Sequence, residues 1–323
     1  MKRIGVYTSG GDAPGMNACL RAVVRTAVAN NIEVVGIRRG YQGMIEGDFV
    51  QMQASSVSNI IQRGGTILKS SRSAQFRTPE GRNRAYNRIR EAGIEGLVAI
   101  GGDGTFAGAN RFCQEFKIPV VGAPGTIDND LYGTDFTIGY DTALNTAMEA
   151  IDKIRDTADS HNRLFIVEVM GRDAGFIALN VGIAGGAEAV LVPETETFID
   201  DICAKLEEGW IRHKTSSIIV VAEGDDAGGA PEVARQVNKR FSHYDTRVVV
   251  LGHIQRGGSP TCMDRVLGSR LGYAALEALV EGLSNVMVGL VNNKIVHTSF
   301  AKACKLNQEM DRNMLKMVEI LSV

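Results

Sequence analysis

Residues 4–29 read IGVYTSGGDAPGMNACLRAVVRTAVA, and this stretch contains the repeating element of the predicted fold. The apolar run from Ile4 to Thr8 is followed by a glycine-rich turn, Ser9 to Asn17, and then by an amphipathic pattern that extends to Ala29. A short apolar run predicts a strand, and apolar residues at helical spacing predict a helix packed on a sheet. The stretch therefore predicts a strand, a loop and a helix in succession.

The same alternation continues along the chain. Further strands are predicted at Ile32 to Ile37, Leu97 to Ile100, Val120 to Ala123, Leu164 to Val169, Ala189 to Val192, Ile218 to Ala222 and Val248 to Leu251. Further helices are predicted at Arg82 to Glu91, Leu144 to Ala158 and Ile199 to Ile211. Strands that are apolar on both faces and alternate with helices predict α/β architecture with parallel, covered sheets. Ligands then bind at the carboxyl ends of the strands, so function is expected in the loops after them.

Length and composition restrict the class of protein. A chain of 323 residues is long for one core, so two domains are expected, with no Pro-rich or Ser-rich linker to mark the boundary. Hydrophobic residues make up 44% and charged residues 22%, as in ordinary globular proteins. The net charge is −2, and no basic run is longer than two residues such as Arg38-Arg39. We therefore expect no nucleic-acid partner and no membrane partner.

The cysteines and the N-terminus indicate a compartment. The five cysteines are scattered and form no CxxC pair, so neither a zinc site nor a disulfide framework is predicted. The chain enters a strand pattern at once, and no apolar run approaches the roughly 20 residues that span a bilayer. These features predict a cytoplasmic protein with reduced thiols.

Two glycine-rich loops follow predicted strands, and each could bind phosphate. The Ser9 to Asn17 loop offers backbone N–H groups and a helix N-terminus to an anion, although such turns also occur for packing. The string GGDGT at 101–105 adds a carboxylate, Asp103, suited to the Mg²⁺ that accompanies nucleotide phosphates. GGDGT also occurs in diacylglycerol, sphingosine and NAD kinases, so it predicts a kinase without selecting the substrate.

The string PGTIDND at 124–130 supplies two further carboxylates, Asp128 and Asp130. One could act as the base for a substrate hydroxyl and the other as a metal partner, which is what phosphoryl transfer requires beyond positioning. The alternative is a simple turn, in which Asp and Asn are common. Later strands end in MGR at 170–172 and GHIQRGGSP at 252–260, where arginine and His253 could hold a sugar phosphate.

TSGGDAPGMN, GGDGT, PGTIDND, MGR and GHIQRGGSP occur together in the order and spacing of the bacterial 6-phosphofructokinases. The chain resembles that family over essentially its whole length. The resemblance implies two doubly wound Rossmann-like domains with mainly parallel sheets, the phosphofructokinase fold. It divides the chain into an ATP-binding domain, 1–138 plus 251–300, and a fructose 6-phosphate-binding domain, 139–250 plus 301–323. It also implies a homotetramer with active sites shared between subunits.

The resemblance carries site residues over to this sequence. The implied ATP site comprises Gly11, Tyr41, Arg72, Ser73, Arg77, Gly102, Asp103, Gly104 and Thr105, with Asp103 as the Mg²⁺ ligand. The implied fructose 6-phosphate site comprises Thr126, Asp128, Arg163, Met170, Gly171, Arg172, Glu223, Arg247, His253 and Arg256, of which Arg163 and Arg247 reach in from a neighbouring subunit. The catalytic group comprises Asp128, Thr126, Arg172 and Asp130.

An allosteric effector site is implied as well, and here the sequence departs from the family. Six positions match: Arg21, Arg25, Arg155, Glu188, Arg212 and Lys214. Ala54 and Asn59 stand where the family has an arginine and an aspartate, so weakened effector binding is expected. Phe176 stands where the family commonly has Asp, which puts local packing in question.

Three alternatives to an ATP-dependent glycolytic 6-phosphofructokinase stay open. They are a pyrophosphate-dependent enzyme of the same family, a lipid or NAD kinase that shares GGDGT, and a catalytically silent sugar-phosphate sensor. Separately, the methionines at 310, 314 and 317 with Ile320 and Leu321 have helical spacing, and this stripe predicts core packing rather than a cofactor site.

Overall fold

The predicted alternation of strands and helices is present in the computed structural model, which describes residues 1–160, 163–214, 216–241 and 243–322. The strands are Arg3–Thr8 (β1), Glu33–Ile37 (β2), Phe49–Met52 (β3), Gly96–Gly101 (β4), Val120–Pro124 (β5), Arg163–Val169 (β6), Ala189–Leu191 (β7), Ser217–Ala222 (β8), Asp245–Val250 (β9), Val286–Val291 (β10) and Lys294–Ser299 (β11). The α/β class is confirmed.

Most of the helices lie between strands, and the last two follow β11. The helices are Met16–Ala29 (α1), Gly40–Glu46 (α2), Pro79–Glu91 (α3), Asp103–Phe116 (α4), Tyr140–Asp159 (α5), Phe176–Ala184 (α6), Ile199–Ile211 (α7), Gly229–Arg240 (α8), Cys262–Val280 (α9), Phe300–Lys305 (α10) and Arg312–Leu321 (α11). Short 3₁₀ turns occur at Ala54–Val57, Gln75–Arg77 and Gly252–Arg256. Across the described ranges, no helix combines the length and apolarity needed to cross a membrane.

The chain forms two compact units, each with its own sheet. Unit 1 contains residues 1–127, 131–142 and 256–308, and unit 2 contains 128–130, 143–255 and 309–323. The chain thus changes unit repeatedly, and the predicted division differs from these bounds at 128–130, 139–142, 251–255 and 301–308.

Unit 1 is built on a seven-stranded sheet in the order β11-β10-β5-β4-β1-β2-β3. The five inner strands, β10, β5, β4, β1 and β2, are parallel to one another. The two edge strands, β3 and β11, are antiparallel to their neighbours. All residues of β4 and β5 are buried, as expected for strands covered on both faces. The central position of β1, β4 and β5 brings their carboxyl ends to one edge of the sheet.

Helices α1 and α9 pack closely because α9 carries glycines at their contact. A Cβ added at Gly272 would lie 2.4 Å from the Cys19 carbonyl oxygen, and one added at Gly268 would lie 2.8 Å from the Gly15 carbonyl oxygen. A side chain at either position would force the helices apart, since real Cβ contacts are longer. This packing holds the glycine loop before α1 against the start of α9.

Unit 2 is built on a parallel four-stranded sheet in the order β7-β8-β6-β9. The inner strand β8 is fully buried, whereas the edge strand β9 exposes Val248 and Val250. The prediction that the strands are covered on both faces is therefore wrong for β9. Its apolar residues lie at the surface of the single chain.

The prediction of core packing for the C-terminal methionine stripe is also wrong in part. Helix α11 buries Val318, but Met317, Ile320 and Leu321 are exposed, the last by 64%. Helical spacing determines which side chains share a face of a helix, but it does not determine what that face contacts.

Candidate active site

Three of the predicted loops meet at one edge of the unit 1 sheet. Because β1, β4 and β5 are neighbours, Ser9 N–H donates to the Ile100 carbonyl at 3.0 Å, and Gly125 N–H donates to the Gly101 carbonyl at 3.0 Å. The loops after the three strands are therefore side by side. Parallel strands place their following loops at one edge, which is the usual ligand-binding position.

The GGDGT loop passes directly into the N-terminus of α4. Asp103 is the first residue of the helix, and both it and Gly104 are exposed, while Thr105 is buried and donates through Oγ1 to the Ser9 carbonyl at 3.1 Å. A Cβ added at Gly104 would have no atom within 4 Å beyond its chain neighbours and the backbone of its own helix. The loop therefore offers an anion-binding helix N-terminus, an accessible carboxylate and open space beside them.

Asp103 fits the role of a Mg²⁺ ligand. Within the part of the chain that the structure describes, no three His, Cys, Asp or Glu side chains are grouped as a metal cage. Mg²⁺ in nucleotide sites is commonly bound by one or two carboxylates together with substrate phosphates and water. One accessible carboxylate beside a phosphate-binding loop is consistent with that arrangement.

Tyr41, which was predicted to bind ATP, is buried in the core of unit 1. Its hydroxyl donates to the Thr105 carbonyl and accepts from the Tyr7 hydroxyl at 3.1 Å, and its ring stacks on Phe76 with centroids 3.9 Å apart. Burial raises the pKa of Tyr41 well above its usual value, which keeps the hydroxyl a donor. Tyr41 therefore contacts the GGDGT loop through a hydrogen bond to the Thr105 backbone.

The segment 70–77 carries the other predicted ATP contacts. Arg72 and Arg77 are exposed, so their guanidinium groups are accessible to phosphate. Ser73 Oγ donates to Gln42 Oε1 at 2.8 Å and accepts from Phe76 N at 3.2 Å. Sequence reasoning missed Ser70, whose Oγ donates to the Gly10 carbonyl at 2.7 Å and joins this segment to the first glycine loop.

Asn17 is another residue to which sequence reasoning gave no role. Its Nδ2 donates to the carbonyls of Arg63 and Gly64 at 3.1 and 3.2 Å, and its Oδ1 accepts from Ile67 N at 2.9 Å. The side chain is 1% exposed. The buried amide makes three hydrogen bonds and fixes the 63–67 loop beside α1. The only sequence signal was a polar residue at the start of an otherwise apolar helix face.

Two residues predicted to bind sugar phosphate lie in unit 1. Thr126 is buried, and its carbonyl accepts from Thr137 Oγ1 at 2.6 Å. Arg256 lies against the first glycine loop, where its Nη1 approaches the Asp12 carbonyl at 3.4 Å. A Cβ added at Gly11 would be 2.5 Å from the same nitrogen. The structure thus brings Arg256 together with Gly11, a residue assigned to ATP.

The remaining predicted substrate residues are in unit 2, beginning with Asp128 to Asp130. Asp128 is 2% exposed, Asp130 is half-buried, and Asn129 between them has φ of +54°. The left-handed φ of Asn129 departs from extended backbone, so the two carboxylates do not lie along an extended strand.

The MGR loop after β6 is held by backbone hydrogen bonds to side chains. Glu223 Oε1 accepts from Arg172 N at 2.7 Å and from Gly171 N at 3.2 Å, while Met170 N donates to Gln255 Oε1 at 2.8 Å. Arg172 is exposed and has φ of +55°, a conformation that costs a non-glycine residue about 1 kcal/mol or more. Glu223 therefore has a structural role that sequence reasoning did not foresee, and it stabilises the loop that presents the Arg172 guanidinium.

The two arginines expected at a neighbouring subunit lie together on the β6–β9 edge. Asp245 Oδ2 accepts from Arg247 at 2.7 Å and from Arg163 at 3.3 Å, so the guanidinium groups share one exposed carboxylate. His253 is exposed in the 3₁₀ turn that follows β9.

Part of the predicted effector site is assembled within unit 2. Lys214 Nζ pairs with buried Glu188 Oε1 at 2.7 Å, and Arg155 donates to the Gly185 and Gly186 carbonyls. Arg212 donates to a helix carbonyl, Glu208 O, at 3.3 Å.

The other residues of the implied effector site lie in unit 1. Arg21 and Arg25 are on α1, beside which the 3₁₀ turn beginning at Ala54 packs. Asn59 has φ of +54°, which asparagine tolerates better than most residues.

Phe176 is accommodated as a core residue. It is the first residue of α6 and is 9% exposed, and the preceding Gly175 N donates to Glu194 Oε1 at 2.9 Å. The phenyl group therefore packs in the unit 2 interior, and Phe176 is compatible with the local structure.

The comparisons with known proteins agree with one another. The family model described as "Phosphofructokinase" matches residues 3–279. An ATP-dependent 6-phosphofructokinase 1 of Thermus thermophilus is 58% identical, with all of both chains covered, and an ATP-dependent 6-phosphofructokinase of Cytophaga hutchinsonii is 55% identical over all of this chain and 98% of its own. A solved structure of phosphofructokinase from Saccharomyces cerevisiae superimposes with a TM-score of 0.88 at 34% identity, covering all of this chain and 47% of the yeast chain.

Proposed function

We propose, because this chain belongs to the phosphofructokinase family, that it transfers the γ-phosphoryl group of ATP to the 1-hydroxyl of fructose 6-phosphate. The products are fructose 1,6-bisphosphate and ADP, and the reaction is a step of glycolysis. The structural observation that carries the proposal is the grouping of the two glycine-rich loops with the PGTIDND loop at the carboxyl ends of β1, β4 and β5, with Asp103 accessible beside them. Phosphoryl transfer depends mainly on positioning and electrostatic stabilisation, which such loops provide.

ATP is the phosphoryl donor, and Gly104 supports this choice over pyrophosphate. The open space around Gly104 leaves room beside the phosphates for the rest of a nucleotide. The exposed Arg72 and Arg77 are suited to its negative charge. Unit 1 is accordingly the ATP-binding unit and unit 2 supplies the greater part of the fructose 6-phosphate site.

Asp128 is the proposed general base. It accepts the proton of the 1-hydroxyl as that oxygen attacks the γ-phosphorus, and its near-complete burial keeps the carboxylate away from bulk water. Thr126 and the Arg172 guanidinium stabilise the charge of the transferring group, and Asp130 supports the loop or the metal. Asp103 would hold Mg²⁺, which neutralises phosphate charge when bound.

Binding of the 6-phosphate is assigned to four residues: Arg163, Arg247, His253 and Arg256. These groups bind a non-reacting part of the substrate and orient it, so they affect affinity more than the chemical step. Met170, Gly171 and Glu223 complete the sugar site. Gly11, Tyr41, Ser73, Gly102 and Thr105 complete the ATP site, with Tyr41 acting through the Thr105 backbone.

Assembly into a homotetramer, with Arg163 and Arg247 reaching a neighbour's site, is part of the proposal. The exposed Val248 and Val250 follow Arg247 on the edge strand β9, and exposed apolar edges in soluble proteins are usually covered. The charged substrates are cytoplasmic metabolites, so the cytoplasm is the expected compartment.

A coupled assay tests the activity directly. Purified protein with fructose 6-phosphate and Mg²⁺ should form fructose 1,6-bisphosphate with ATP and not with pyrophosphate. Turnover with pyrophosphate alone would identify the other donor class, and no turnover with either donor in a purified tetramer would favour the sensor alternative.

A further inference from the structure

A fully buried carboxylate in unit 1, Asp264, has no part in the roles assigned above. It lies in the first turn of α9 and is 0% exposed. Its Oδ1 accepts from Gly139 N at 2.8 Å, and its Oδ2 accepts from Thr142 N at 2.8 Å and from Thr142 Oγ1 at 2.6 Å. Three donors converge on one carboxylate, and this compensates for much of the cost of its burial.

These donors belong to the beginning of another helix. Gly139 and Thr142 flank Tyr140, the first residue of α5, where backbone N–H groups have no acceptor within the helix. Asp264 therefore caps α5 from outside, and its charge complements the positive end of the helix dipole. Burial raises the pKa of Asp264, and the three hydrogen bonds oppose that rise.

The residues just before α5 connect this cap to the PGTIDND loop. Thr137 Oγ1 donates to the Thr126 carbonyl at 2.6 Å, and Ile138 N donates to the Pro124 carbonyl at 2.9 Å. Residues 137–139 thus lie between the Asp264 carboxylate on one side and the backbone of Pro124 and Thr126 on the other.

The first glycine loop packs against the same residues. A Cβ added at Gly15 would lie 2.7 Å from Ile138 Cγ2 and 3.3 Å from Asp264 Cβ, and one added at Gly139 would lie 2.6 Å from Ala13 Cβ. Gly139 has φ of +103°, a conformation that glycine adopts readily and other residues rarely do, so position 139 favours glycine. The Asp264 carboxylate is therefore hydrogen-bonded to the 137–139 segment, and both the first glycine loop and the PGTIDND loop contact that segment.

We propose that Asp264 is a positioning residue for phosphoryl transfer: it fixes residues 137–139 and, through them, sets Thr126 relative to the first glycine loop. The proposal rests on the function proposed above, because Thr126 is there assigned to the transferring phosphoryl group. Asp264 contacts no reacting atom. Its loss should therefore shift Thr126 and slow the chemical step, while the 6-phosphate contacts of unit 2 remain.

The test is Asp264→Asn. This change replaces one carboxylate oxygen, which accepts hydrogen bonds, with an NH₂ group that can only donate, so at least one of the present donors loses its acceptor. We expect kcat to fall by about 10- to 100-fold, since a displacement of about 1 Å at a reacting group can cost that much. The KM for fructose 6-phosphate should stay within about threefold. Asp311→Asn is the matched control, because Asp311 caps α11 by accepting from Asn313 N at 2.8 Å outside the assigned site. The control should leave kcat unchanged.

A double-mutant cycle separates positioning from general destabilisation. Thr137→Val removes the bond to the Thr126 carbonyl, which is the next step of the proposed connection. If Asp264 acts through Thr137, the double variant should lose about as much kcat as the worse single variant, whereas independent effects multiply. If Asp264→Asn does not fold, Thr142→Val, which removes one donor to the carboxylate, takes its place in the cycle under the same criterion.

Each outcome decides the proposal. A reduced kcat with non-multiplicative losses supports it. A folded Asp264→Asn with normal kcat, or losses that multiply, overturns the role of Asp264 while leaving the proposed function intact if the wild type is active. A wild type that does not phosphorylate fructose 6-phosphate overturns both.

Discussion

The Arg256 guanidinium lies on the backbone of Gly11, with Nη1 only 2.5 Å from the position that a Cβ on Gly11 would occupy. Residue 11 is assigned to ATP and residue 256 to the 6-phosphate of the sugar. The contact places a group assigned to ATP beside one assigned to the sugar phosphate within unit 1, and a side chain at position 11 would displace the flexible guanidinium.

Gly11→Ala should therefore raise the KM values of both substrates. The added methyl group moves Arg256 away and also alters the glycine loop that receives phosphate. Arg247→Ala is the comparison, because Arg247 is also assigned to the 6-phosphate but is far from Gly11 in sequence and belongs to the other unit. Each lost charge-assisted contact should cost about 1.5–3 kcal/mol in substrate binding. Initial rates as a function of each substrate would measure this, and a normal fructose 6-phosphate KM in Gly11→Ala would show that Arg256 does not depend on the contact.

Asp128→Ser should lower kcat by about 10²- to 10⁴-fold and leave substrate KM values nearly unchanged, which is the usual effect of removing a general base. Asp128 is buried, so Asp128→Asn, which keeps the side-chain volume, should accompany it as a check on packing. Steady-state rates and equilibrium binding of fructose 6-phosphate would be measured. Near-normal turnover in both variants is incompatible with the assigned role.

Gly104→Asp should fold normally but use ATP poorly. The space around Gly104 accommodates a side chain, and a carboxylate there would repel the nucleotide phosphates. Gly104→Ala is the matched control and should keep most of the activity. Thermal unfolding and ATP saturation curves distinguish the cases, and equal ATP kinetics in the Asp and Ala variants would contradict the assigned position of the phosphates.

Ala54→Arg should tighten the binding of ADP-like or phosphoenolpyruvate-like effectors without changing kcat. Ala54 begins the 3₁₀ turn packed beside α1, which carries Arg21 and Arg25, so a guanidinium at position 54 would add to a cationic surface. A restored charge-assisted contact should gain about 1.5–3 kcal/mol, or about ten- to a hundredfold in affinity. Ala54→Gln, which adds length without charge, is the control.

Fructose 6-phosphate saturation with and without each effector measures the regulatory consequence. An effector shifts a two-state equilibrium only by its differential affinity for the two states. The contact missing at Ala54 weakens regulation if an arginine there would bind the effector differently in the two states. Strong sigmoidal inhibition of the wild type at micromolar effector would contradict the expectation of a weakened site.

The sequence alone was sufficient for the local structure of the phosphate loops. A buried strand, several glycines and a helix start follow one another at Ser9 to Asn17 and at 101–105, and the structure has each loop where the pattern predicts it. Helix α7 has the predicted bounds, Ile199–Ile211. These features depend on residues close together in the chain, since glycine conformations, helix starts and the two periodicities are local properties.

The tertiary structure decided which residues meet. Strands β3, β10 and β11 were not predicted. The edge strands β3 and β11 have short or partly exposed patterns that lack the continuous apolar run of a covered strand, whereas β10 has such a run and was missed. The burial of Tyr41 beneath Thr105, the two N–H donors on Glu223 and the capping of α5 by Asp264 all join segments distant in sequence. Sequence periodicity shows which face of an element is apolar. The burial and partners of a polar side chain are fixed only when separate elements pack together, because its hydrogen bonds must then be satisfied by groups from other parts of the chain.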